Sequence, residues 1–173
     1  MLIDKARKCQ PQYVANIALK VNVKLGGVNA ITDEPLFKKS RWMLLGGDIS
    51  MPNSSALRQN PPPPSVAAIS GTWDRECTGY TAVASMQDSS EANRIVNARP
   101  MLNELVSRYR LKNGNKLPQG VIFYRDGTSE GEFGMIIESE VQDIRNALPG
   151  AKITVVVSIK RHHTRSKSPS HSL

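Results

Sequence analysis

Two aspartates and a pair of lysines are where this 173-residue sequence could do chemistry. Asp48 closes the apolar run RWMLLGGDIS (41–50), and Asp126 follows VIFYR (121–125); each lies next to glycine. Ligands commonly meet a sheet with parallel strands at the strands' carboxyl ends. If the two strands are neighbours, with axes about 4.8 Å apart, the anions repel until one is protonated or a cation sits between them. Mg²⁺ suits such a pair, because it takes hard oxygen ligands and is held by one or two carboxylates with phosphate and water. The chemistry implied is two-metal phosphoryl transfer, one ion activating water and the other stabilising the leaving oxygen. The plainer reading is turn chemistry, with Asp tolerating unusual dihedrals and Gly supplying positive φ.

Lys20 and Lys24 lie in PQYVANIALKVNVKLGG (11–27), which carries two periods at once. Leu19, Val21, Val23 and Leu25 alternate as in a strand, while Val14, Ile17, Val21 and Leu25 form a helical stripe. The flanks favour a helix, since proline opens the segment and Gly-Gly closes it. In either case the two ammonium groups share a face, being four apart in a helix and of equal parity in a strand.

The elements that must position these residues follow from pattern. Residues 41–50 read as a buried strand, and PNSSALRQNPPPP (52–64) as an irregular loop, because a proline run cannot supply ladder donors. SVAAISGTW (65–73) and GYTAVASMQ (79–87) read as an antiparallel hairpin around DRECTG. Helical spacing runs from about Glu91 to Arg110 despite Pro100; VIFY (121–124) is the next strand, EFGMIIESEVQDIRNAL a second amphipathic helix, and AKITVVVSIKR (151–161) the last strand. The order predicts an α/β fold.

Composition narrows the setting. Lys and Arg number 23 against 15 Asp and Glu, giving +8, with basic residues gathered near the two ends and acidic ones between 126 and 143. That sign favours a polyanionic partner, although a solvated basic surface reads the same way. Cys9 and Cys77 stand far apart with no metal-type neighbours, which points to a reducing, intracellular setting rather than a disulfide framework. No apolar run approaches the roughly 20 residues of a membrane span, and MLIDKARK lacks the apolar core of a secretion signal, so no membrane association is expected.

LKVNVKLGGVN, GGDIS with its proline-rich loop and PSVAAISG, IFYRDGTSEGEF and KRHHTR resemble, in that order, consecutive motifs of the Piwi domain of Argonaute proteins. The resemblance covers about residues 11–165. It implies an RNase H-like mixed sheet flanked by helices, and a protein that binds a small guide RNA, pairs it with complementary target RNA and works with silencing-complex proteins in the cytoplasm or nucleus. It divides the chain into the end of a Mid domain (1–30), an incomplete Piwi domain (31–165) and a disordered Ser-rich tail (166–173). By that resemblance Lys20 and Lys24 grip the guide 5′ phosphate, Asp48 and Asp126 are the first and second catalytic aspartates holding Mg²⁺ or Mn²⁺, and Arg161 and Arg165 contact RNA backbone.

Three departures bear on activity. The family's active form inserts a glutamate from the loop before the long helix; counting from the preceding strand selects Glu91, and counting back from the helix selects Asn93. The family histidine beyond KRHHTR has no counterpart, and His162, His163 and His171 do not replace it. After Asp48, where the family often has threonine, histidine and proline, this sequence has Ser50, Met51 and Pro52. The resemblance therefore implies guide binding and silencing without assured cleavage, the alternative being an Mg²⁺-dependent endoribonuclease that cuts guide-paired target.

Overall fold

The computed structural model describes residues 10–31, 37, 39–91, 93–126 and 130–158. Its centre is a five-stranded mixed sheet of β1 (Trp42–Ser50), β2 (Ser65–Thr72), β3 (Tyr80–Gln87), β4 (Gly120–Asp126) and β5 (Lys152–Ser158), in the order β3-β2-β1-β4-β5. The hairpin β2–β3 and the pair β1–β2 are antiparallel, whereas β1–β4 and β4–β5 are parallel. Each parallel pair is joined by a long connection that includes a helix, as such pairs usually are.

Among the described residues the helices cover one face of the sheet, and strand alternation sends every second side chain to it. Met43, Leu45, Ala67, Ile69, Val121 and Phe123 point into a core with Leu102, Leu105 and Tyr109 of α2 (Ala98–Lys112). Ile144 of α4 (Glu140–Ala147) and Leu148 join the same core. Along β1 the intervening side chains, from Trp42 to Asp48, are intermediate or exposed. Burial of one parity is what a half-covered sheet predicts.

Helix α1 (Pro11–Lys24) settles the ambiguity of its segment in favour of the helix. Gly26, at φ +85, takes the left-handed position past Leu25; its N–H donates to Val23 O at 3.0 Å, and Gly27 N–H donates to Asn22 O at 2.8 Å. That paired pattern is the Schellman stop, which glycine enters without a Cβ penalty. No residue of α1 is buried, and Val14, Ile17 and Val21 of its apolar stripe are exposed.

Two expected helices differ in detail. The segment from Glu91 does not begin a helix; α2 starts at Ala98, which puts Pro100 in the first turn, where its missing N–H costs no intrahelical bond. The continuous helix expected over 132–148 is broken at Ser139 into α3 (Phe133–Glu138) and α4. Ser139 turns its hydroxyl back onto Met135 O at 2.7 Å, and the following residue, Glu140, is buried.

Candidate metal centre and nucleic-acid interface

The parallel register between β1 and β4 runs from Trp42 opposite Gly120 to Gly47 opposite Arg125. One further step sets Asp48 beside Asp126, on strands about 4.8 Å apart. Both belong to the parity that faces away from the helices, because Gly47 and Arg125, their predecessors, face the core. Asp48 is exposed and Asp126 half-buried. They line one shallow cavity of about 410 Å³ together with Gly46, Ala68, Tyr124 and Ser158. One Asp48 carboxylate oxygen accepts the Ile49 N–H at 2.9 Å. In the register with β5, Asp126 stands opposite Ser158.

The donors offered here are carboxylate and hydroxyl oxygens, a set that fits a hard divalent ion such as Mg²⁺ or Mn²⁺ rather than a metal seeking nitrogen or sulfur. Among the described residues, no group of three or more His, Cys, Asp or Glu side chains is arranged so that it could hold a metal ion.

Glu91 is placed elsewhere. Its carboxylate takes two hydrogen bonds from Arg94, Nε at 2.7 Å and Nη2 at 2.9 Å. That guanidinium holds the Glu91 carboxyl below its usual range. Asn93, the other candidate for the same slot, contributes its backbone carbonyl to Arg125 Nη2 at 3.3 Å. Neither residue lines the cavity shared by the aspartates.

Sequence reasoning missed two groups that hold this loop. Gln87, the buried last residue of β3, donates its amide to Glu91 O and to Arg94 O at 2.9 Å, and accepts the Val96 N–H at 3.2 Å. Arg125 forms a fully buried ion pair with Glu140, Nε to Oε2 at 3.0 Å. Its parity in β4 was the available signal, since an odd-numbered position between Phe123 and the strand end must face the core.

Lys20 and Lys24 sit four apart on α1, both exposed, with Lys24 in the last turn where a cation complements the helix dipole. Arg161 and Arg165, with His162, His163 and His171, lie outside the described residues.

Comparison with known proteins supplies the relationship. The Piwi domain family model matches residues 1–171. The chain belongs to the Piwi domain family.

Curated relatives include Protein argonaute 3 of Oryza sativa subsp. japonica, 34% identical over 164 residues, which are 91% of this chain and 14% of that protein. Protein argonaute 18 of the same plant is 36% identical over 166 residues, 89% of this chain and 15% of that protein. This Piwi chain thus spans about a seventh of the length of those relatives. Among solved structures it resembles the MID-PIWI domains of N. crassa QDE-2 at 30% identity and TM-score 0.67, covering 87% of this chain and 44% of that one. It also resembles Kluyveromyces polysporus Argonaute with a guide RNA, at TM-score 0.74 and 24% identity, over 92% of this chain and 19% of that one. The mixed five-stranded sheet flanked by helices is the RNase H-like fold of these Argonaute structures.

Proposed function

We propose that this Piwi chain is the nucleic-acid-holding part of an Argonaute, engaging a small guide RNA and its complementary target for RNA-directed silencing in the cytoplasm or nucleus. The observation that carries the reading is the open face of the sheet. Gly46, Ala68, Ser70 and Ala82 give it a floor of small side chains, on which a phosphodiester backbone can approach Asp48 and Asp126. Lys20 and Lys24 support it, because two ammonium groups on one helix face can neutralise a terminal phosphate. Arg161 and Arg165 would add backbone contacts, which position RNA without reading sequence.

Asp48 and Asp126 are the residues that would hold Mg²⁺ or Mn²⁺. When bound, such an ion polarises a phosphoryl oxygen. The chain's own contribution is to carry the two carboxylates at the ends of adjacent parallel strands, one step beyond the Gly47–Arg125 pairing and on the lining of one cavity.

A second reading, endonucleolytic cleavage of the target, is favoured by that carboxylate pair alone. The engagement of Glu91 with Arg94, away from the cavity, supports binding without cutting.

Fluorescence anisotropy of the full chain with a short 5′-phosphorylated RNA, against the same RNA with a 5′ hydroxyl, tests the proposal. Tighter binding of the phosphorylated form is expected; equal or absent binding overturns guide recognition. Adding a complementary strand and Mg²⁺ separates the two readings, since intact target supports binding alone and a cut target supports the nuclease.

A further inference from the structure

Strand alternation sends Asp126 to the open face and its neighbour Arg125 beneath the sheet. There the guanidinium is 2% exposed and its partner Glu140 1% exposed. Such a pair rarely improves stability over apolar residues of similar volume, because desolvating two ions offsets their attraction. What an apolar pair cannot do is direct main-chain polar groups, and this pair directs three. Arg125 Nη1 donates to Asp126 O at 2.6 Å, Arg125 Nη2 donates to Asn93 O at 3.3 Å, and Glu140 Oε1 accepts the Ile95 N–H at 2.8 Å. Arg125 Nε is shared between the two Glu140 oxygens at 3.0 and 3.3 Å, so the carboxylate is fixed in orientation.

Three distant stretches of chain therefore meet on one ion pair: the exit of β4, the loop at 93–95 and the first turn of α4. The break at Ser139 starts α4 at Glu140, whose carboxylate reaches this position. We propose that Arg125 and Glu140 are positioning residues for the candidate ion site, locking the peptide that carries Asp126 and the 88–97 loop that carries Glu91 and Asn93 into a single frame. The proposal rests on the reading of Asp48 and Asp126 as ion ligands, and it assigns the loop a fixed rather than a sliding attachment on its core side. Gln87 holds the same loop from the other end, through Glu91 O, Arg94 O and Val96 N. Between them the two anchors leave the Glu91 side chain, and not its main chain, as the part that can change partner.

The test uses the full chain and three variants: the double substitution Arg125→Met with Glu140→Leu, the conservative Glu140→Gln, and Asp126→Asn. Hydrogen exchange reads the loop, and Mn²⁺ titration followed by electron paramagnetic resonance reads the ion site. Expected for the double variant are a cooperative thermal transition, amides of 93–96 exchanging at least tenfold faster with β1 and β2 amides unchanged, and Mn²⁺ binding weaker by roughly 10-fold or more, the usual effect of removing an outer-shell partner. Glu140→Gln keeps an acceptor for the Ile95 N–H and retains more loop protection than the double variant; it serves as the folded reference if the double variant fails to fold. Unchanged loop exchange in a folded variant overturns the proposal, as does unchanged Mn²⁺ affinity where Asp126→Asn abolishes binding. If Asp126→Asn and the parent chain bind Mn²⁺ alike, the ion-site reading fails and the positioning role falls with it, whereas faster loop exchange would still show the anchoring of the loop.

Discussion

The Glu91 carboxylate and the Arg94 guanidinium meet side by side, at 2.7 and 2.9 Å, in a loop that runs beside the sheet. The contact keeps the glutamate ionised below its ordinary value of 4.5. Because the folded-state value is depressed, the contribution to stability is present above the ordinary value and is lost as pH falls through the folded value. Arg94→Ala is expected to return the Glu91 titration to the ordinary carboxylate range, read from side-chain carboxyl chemical shifts. An unmoved titration in that variant would show that Arg94 is not its cause.

Gly47 sits on the core side of β1, where a side chain would crowd its neighbours. A Cβ at that position would stand 3.0 Å from the Phe123 ring and from Ile95 Cδ1. Gly47→Ala is expected to destabilise the fold by about 1–3 kcal/mol, as overpacked cores do. The urea midpoint checks it, and a midpoint unchanged or raised would mean that Phe123 and Ile95 give way freely.

Tyr109 is fully buried in α2, and its hydroxyl has no hydrogen-bond partner among the described residues. Burial pushes its pKa up to about 12. A raised folded-state value stabilises the protein fully below the ordinary value of 10, and that stabilisation disappears as pH climbs through about 12. Tyr109→Phe is expected to keep or slightly raise stability near neutral pH, since it removes an unsatisfied buried hydroxyl. It should also flatten the alkaline decline between 10 and 12. Denaturation midpoints measured across that interval decide the matter; a steeper decline in the variant would contradict it.

Lys20→Ala with Lys24→Ala should remove the preference for a 5′-phosphorylated RNA while leaving the folding transition in place, because both positions are exposed and alanine favours the helix. The slope of binding against salt should fall by about one for each phosphate that no longer meets an ammonium group. Retained discrimination between phosphate and hydroxyl ends would assign recognition to other residues.

Much of the sheet could be read from the sequence, because short apolar runs bounded by glycine and polar turns leave few alternatives. The hairpin, the strands that carry Asp48 and Asp126, and the α1 helix all fall close to their expected bounds. The start of α2 was not legible for a physical reason. Ile95 and Val96 continue the apolar spacing of the helix, yet Ile95 is buried from a loop, its N–H satisfied by Glu140 instead of a helical carbonyl. Strand parity put Arg125 on the core side, but spacing could not name Glu140 as its partner, since that depends on where the helix breaks at Ser139. The placement of Glu91 likewise turns on Arg94, three residues away, whose side chain could equally have faced solvent.

Asp126 and Arg125 are consecutive, and they serve opposite sides of β4. A deletion or insertion of one residue between Gly120 and Arg125 would exchange their destinations, since a slip of one position turns every side chain over. The guanidinium would then confront Asp48 in the open while the carboxylate was driven under the sheet toward Glu140, anion against anion. Length errors in this strand should therefore be tolerated far less well than most point substitutions along it.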